Sequence, residues 1–174
     1  MFEVVFGSYG CILSSALVED ENRPVRFVNS AHVLNRNDSD VMLMDTRSNP
    51  NNVIRVLTRD IINNFENARN FLLNNASIER ITFDAFQRCN NIQIIQLRDN
   101  RIWQLFNGVF RNCRNVNFLT LESNELRALN RETFNGLSAL DILSLSDNSI
   151  YNLPNDAFEH LTNLRQLQLQ NNYI

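Results

Sequence analysis

The chain has 174 residues, is 44% hydrophobic and 20% charged, and carries a formal net charge of −3. It lacks the basic stripe that phosphates require, which argues against nucleic acid as a partner. No apolar run approaches the roughly 20 residues that span a bilayer, so no membrane contact is expected within the chain. The length fits one domain, and every one of the 16 cationic side chains is arginine.

Residues 1–53 lack a regular period and read as an N-terminal cap with an irregular first repeat. The stretch from Val4-Val5-Phe6 to Leu17-Val18 is apolar and ends near Ser14-Ser15-Ala16. Two readings of it stand: a secretory signal peptide, or a strand that shields the start of the fold. Glu3 sits where a signal peptide carries positive charge, which favours the second. Cys11 then lies on that strand, with Val25, Phe27 and Val28 available to pair beside it. Further on, Asn37-Asp38-Ser39 is an N-glycosylation sequon, as is Asn75-Ala76-Ser77. Such short patterns also arise by chance in an asparagine-rich chain.

From residue 54 onward one phrase returns every 24 residues. It begins in a degenerate copy, Ala68-x-x-Phe71-x-Leu73-x-x-Ala76-x-Ile78, and continues as Ile92-x-x-Ile95-x-Leu97-x-x-Asn100-x-Ile102. Three further copies place the asparagine at Asn124, Asn148 and Asn172, ending at Leu126, Ile150 and Ile174. A fixed period of this size predicts stacked identical units rather than one central core. Alternate residues of the Leu-x-Leu step point to one side, so each copy contains a short strand. Five such strands are expected to lie parallel, about 4.7–4.9 Å apart. Each asparagine follows its strand, where its amide can satisfy backbone groups of its own coil and the next. Leaving those groups unpaired costs roughly 1–3 kcal/mol each.

The second half of the unit is equally regular. Ile81, Leu105, Leu129 and Leu153 fill one column; Ile62, Phe86, Phe110, Phe134 and Phe158 fill another. A third runs Phe65, Cys89, Cys113, Leu137 and Leu161, and the aromatic column reads as core rather than ligand box. Cys89 and Cys113 would stack on neighbouring coils, close to disulfide range. The plainer expectation is two buried thiols standing in for leucine, with a disulfide as the alternative. Cys11 is left over in either case.

The unit, with its half Leu153-Pro154-x-x-Ala157-Phe158-x-x-Leu161, resembles the typical 24-residue class of leucine-rich repeats. That class occurs mostly in secreted proteins and receptor ectodomains of the Toll-like, Slit-like and small proteoglycan families. The resemblance covers 54–174 and implies an α/β solenoid. Its right-handed coil would carry a parallel β-sheet on the concave face and irregular or short helical segments on the convex one. Gly10-Cys11-Ile12-Leu13, Arg26-Phe27-Val28-Asn29-Ser30, Val41-Met42-Leu43-Met44 and Asn52-x-Ile54 resemble the cap and first repeat of insect secreted leucine-rich-repeat proteins. Many of those act in innate immunity, which implies an extracellular protein or the extracellular side of a receptor. The last copy stops at Asn172-Tyr173-Ile174, directly after its strand and turn. A fragment lacking its C-terminal cap is expected, or an end covered by another chain.

Function is read from the strand positions that point away from the core. The first such column holds Asn70, Ile94, Phe118, Ile142 and Gln166; the next holds Leu72, Gln96, Thr120, Ser144 and Gln168. The third holds Asn74, Arg98, Glu122, Ser146 and Gln170. Ile94, Phe118 and Ile142 make an apolar ridge beside a polar strip, the composition of a protein-docking patch with Phe118 as its anchor. Strand propensity alone also places β-branched and aromatic residues there. Arg98 with Glu122, and Arg101 with Glu125, are expected to pair between coils for about 0–1 kcal/mol each.

Catalysis finds no support. His32 and His160 lie far apart in sequence, His160 on an outer loop where solvation is expected. Neither a metal-ligand cluster, a glycine-rich phosphate loop nor a nucleophile elbow occurs, so no enzyme activity and no cofactor are expected. The expected partner is a protein, either a complement-like immune factor or another leucine-rich-repeat chain. A Toll-like or adhesion-receptor ectodomain and a structural or dimerising scaffold are the alternatives.

Overall fold

The computed structural model describes the backbone of residues 10–13, 17–18, 30–32, 41–44, 53–63 and 68–174, and the side chains of 54–63 and 68–174. In chain order the elements begin with β1 (Gly10–Leu13), β2 (Leu17–Val18), β3 (Ser30–His32), β4 (Val41–Met44), β5 (Val53–Ile54), β6 (Val56–Leu57) and the short helix α1 (Arg59–Asn63). There follow β7 (Asn70–Leu72), β8 (Arg80–Ile81), β9 (Ile94–Gln96), β10 (Phe118–Thr120), β11 (Ile142–Ser144) and β12 (Gln166–Gln168).

Eight strands form one sheet in the order β12-β11-β10-β9-β7-β4-β1-β3. Pairing is parallel throughout except between β1 and β3. A three-residue strand is too short to stand alone, and parallel neighbours require a long return connection, which the rest of each unit supplies. Because the period is constant, register is too: Phe118 aligns with Ile94 on one side and Ile142 on the other. The repeat predicts β7 and β9 to β12; the sheet goes further, through β4 and β1, into a region without the repeat phrase. Cys11 does lie on a strand, β1, whose antiparallel neighbour is β3. Val25, Phe27 and Val28 fall outside the described residues.

The return segments are turns closed at equivalent places, as in Ala85 N–H to Thr82 O (3.1 Å) and Ala157 N–H to Pro154 O (3.0 Å). Between strands and turns runs the core. Phe86, Phe110 and Phe134 are at most 1% exposed, while Phe158 in the last coil is half-buried. The Phe86 and Phe110 ring centroids lie 5.2 Å apart, and those of Phe134 and Phe158 5.9 Å. Each buried ring contributes about 1.5–3 kcal/mol. Ile62 begins this column as a buried residue; Phe65, assigned to the adjoining one, lies outside the described residues.

Cys89 and Cys113 are joined in a disulfide, with alpha carbons 4.8 Å apart, where two free thiols are the plainer expectation. The reason is the stacking itself: equivalent positions on parallel coils are separated by little more than one strand spacing, inside the range a disulfide spans.

The asparagines form a continuous ladder. Asn100 Oδ1 accepts from the backbone N–H groups of Ala76 (2.9 Å) and Ile78 (3.0 Å), and its amide donates to Leu73 O (2.9 Å) and Leu97 O (2.9 Å). Asn124, Asn148 and Asn172 likewise accept from Ile102, Leu126 and Ile150, each at 3.0 Å. Every one of these amides reaches its own coil and the preceding one, not the next as expected from sequence. The direction follows from the amide's place after the strand, from which the preceding turn is the nearest backbone. Ala76 has no amide to offer, and Ile54 N–H donates instead to the Ala76 carbonyl at 3.0 Å. Backbone thus replaces side chain in the degenerate copy.

The residue before each ladder position is left-handed: Asn75, Asp99, Ser123, Asp147 and Asn171 have φ between 54° and 57°. Asparagine and aspartate tolerate that conformation because their short polar side chains bond locally. Gly136, with φ +101°, has a different constraint, since a Cβ there would sit 2.3 Å from Phe110 O on the preceding coil.

Candidate functional site

The concave face is built by side chains alternating along β7 and β9 to β12. Ile94, Phe118 and Ile142 stand side by side, each half-buried, with Asn70 half-buried and Gln166 exposed at the ends. The ridge is therefore continuous, but Phe118 is a partly sunken ring rather than a protruding one. In the next column Leu72, Gln96 and Gln168 are half-buried. Thr120 and Ser144 are only 5% and 4% exposed, so neither presents a contact surface of the kind their strand position suggests. Their side chains are short, and the Thr120 hydroxyl is turned to its own strand, accepting from Glu122 N–H at 3.3 Å.

The polar strip is wired to itself. Asn74 donates to Gln96 Oε1 at 2.9 Å and accepts from Arg98 N–H at 2.9 Å. Arg98 lies 3.5 Å from Glu122 and 2.9 Å from Asp99, while the Ser144 and Ser146 hydroxyls are 3.1 Å apart. Gln166, Gln168 and Gln170 have no side-chain partner among the described residues. The face thus offers an apolar ridge, a charge-balanced band and free amides at its C-terminal end. Arg101 and Glu125, expected to pair, do not form an ion pair.

Asn75 is half-exposed in the turn leaving β7, with φ 56° and no side-chain partner among the described residues. Asn37 lies outside the described residues. His160 is not simply solvated: its side chain is 30% exposed, and Nε2 sits 3.5 Å from both Glu132 and Glu159. Glu159 is also held by Arg131. Among the described residues no His, Cys, Asp or Glu side chains gather as a metal site.

The largest exposed apolar side chains lie elsewhere. Phe83 (63%), Trp103 (45%) and Phe106 (42%) stand on the flank that follows the ladder, with Tyr151 (66%) further along. A sequence signal for them existed in the columns. Trp103 and Tyr151 occupy the position of Glu79 and Arg127, and Phe106 that of Thr82, Asn130 and Pro154. An aromatic residue at a position that Glu79 and Arg127, or Thr82 and Asn130, also fill is not required by the core.

A family model described as leucine rich repeat matches residues 66–126 and 114–174. The fold is similar to that of a chain in the solved LRIM1/APL1C complex, with 30% identity and a TM-score of 0.71 over 78% of this chain and 24% of that one. It is also similar to the solved APL1 leucine-rich repeat domain, with 27% identity and a TM-score of 0.79 over 94% of this chain and 42% of that one. This chain therefore spans less than half the length of either. No curated protein gives a significant match. With equivalent residues stacked at a constant step, a continuous asparagine ladder and a family match across most of its length, the chain belongs to the leucine-rich-repeat family.

Proposed function

We propose that this chain is an extracellular protein-binding module whose concave sheet docks a second leucine-rich-repeat chain, in an innate-immune setting. The observation that carries the reading is the in-register ridge Ile94, Phe118 and Ile142 on β9, β10 and β11, flanked by a polar band already neutralised within itself. An apolar centre with a satisfied polar margin is what a protein interface needs, since little has to be desolvated without a partner. Support for the partner's class comes from the similar LRIM1/APL1C structure, a complex of two proteins. A complement-like factor is the second partner implied by the insect resemblance. An oxidising compartment is supported by the Cys89–Cys113 disulfide, because such bonds persist outside the cytosol.

The test is capture from native extracellular fluid by the wild-type chain and by Phe118→Asp. The variant places a charge in the middle of the ridge and is expected to lose the partner while keeping its fold, read as an unchanged far-ultraviolet circular dichroism spectrum. Equal capture by both would remove the concave face from the binding site.

A further inference from the structure

The aromatic flank borders a groove of about 630 Å³, lined by Trp103, Phe106, Leu105, Gln104 and Arg127 among others. Its opening has a backbone cause. On this flank the earlier coils are zipped by β6 and β8, and the later ones by the Ala128 to Asn152 bridge. Between them, Trp103, Gln104 and Leu105 make no backbone hydrogen bond among the described residues. A stretch of extended chain therefore keeps its donors and acceptors free beside exposed rings, which a folded protein rarely leaves as a patch without use.

Charge narrows the ligand. Arg127 is the one charged residue in the lining, and it has no ion-pair partner among the described residues. The adjoining groove, bordered by the same Phe83 and Phe106, is neutralised in contrast: Arg59 there lies 3.8 Å from Asp60 and 3.5 Å from Asp84. The Asn130 amide at the groove rim is already engaged, donating to Asn107 Oδ1 at 2.8 Å and accepting from Glu132 N–H at 2.9 Å. That occupies the Asn130 amide and leaves the Gln104 amide beside a run of free backbone groups, which pair best with another main chain.

We propose that this flank groove binds an acidic peptide segment bearing an aromatic side chain, its ring against Trp103 and Phe106 and its carboxylate on Arg127. The site uses none of the concave-face residues and stands apart from the reading given above for that face.

Trp103 is the sole tryptophan of the chain, so its emission reports this groove directly. The probe is an acetylated, amidated peptide of sequence Phe-Glu-Asp-Phe, with Phe-Lys-Arg-Phe and sialyllactose alongside. The acidic peptide is expected to shift Trp103 emission saturably, and Arg127→Gln to weaken it about tenfold or more, the loss of a charge-assisted contact. Arg114→Gln removes the same charge outside the groove, and Phe118→Asp alters the concave ridge; both are expected to bind as wild type does. Equal binding of the two peptides, an unaffected Arg127→Gln variant, a response to sialyllactose alone, or no saturable shift would each overturn the proposal.

Discussion

The side-chain amide of Asn124 donates to the Leu97 carbonyl of the preceding coil at 2.8 Å, while its oxygen accepts from Ile102 N–H at 3.0 Å. One side chain thereby closes the backbone of two coils in an apolar interior. Asn124→Leu leaves the buried Ile102 N–H without a partner, while the Leu97 and Leu121 carbonyls lose one of their two amide donors and keep those of Asn100 and Asn148, each at 2.9 Å. At roughly 1–3 kcal/mol for one unsatisfied buried donor, a loss of about 1–3 kcal/mol is expected. Urea unfolding checks it: the midpoint falls while the slope stays constant.

Gly136 and Gly108 separate close approach from backbone conformation. Both have positive φ, +101° and +65°, but a Cβ at Gly108 meets nothing nearer than 4.0 Å, against 2.3 Å at Gly136. Gly108→Ala is expected to cost about 1 kcal/mol for the left-handed backbone alone. Gly136→Ala forces two coils apart and is expected to cost several times as much. Thermal melts of the two variants side by side decide it, and equal losses would contradict the contact.

Joining Cys89 to Cys113 closes a loop of 24 residues. Replacing both by alanine is expected to destabilise by about 3 kcal/mol through the unfolded chain, with a further contribution from lost packing. Mass spectrometry after alkylation without reductant should find both residues unmodified; two alkylated cysteines there would show free thiols.

Glu132 has a carboxyl held below its ordinary value, first by the hydrogen bond from the Asn135 amide at 2.8 Å, then by His160 and Arg131, with desolvation opposing. A lowered folded value means that the charged form is favoured by folding. Its contribution is complete above the ordinary glutamate value of about 4.3 and is lost as pH falls through the lowered one. Carboxyl-carbon NMR titration should show the Glu132 midpoint rising in Asn135→Ala. An unmoved midpoint would assign the shift elsewhere.

The period carried most of the solenoid. Residues at 24-residue spacing, such as Phe86 and Phe110 or Asn100 and Asn124, must stack if their coils are alike, so columns, strands and ladder were legible without coordinates. The stretch before Ile54 was less so, because β1, β3 and β4 join the same sheet without the repeat phrase that marks the others. The alignment of Ile94, Phe118 and Ile142 follows from their spacing, but their depth does not: which of Phe118, Thr120 and Ser144 reaches solvent depends on the side chains packed around each.

Sequence alone determined which residues are equivalent, since equivalence in a repeat is a matter of spacing. Only the tertiary structure decided what each equivalent residue meets. The backward reach of the asparagine amides, the bond between Cys89 and Cys113, the bare flank at Trp103 and the tight approach at Gly136 all depend on distances between coils. Those distances are set by the packing of successive turns against one another, and a period along the chain does not contain them.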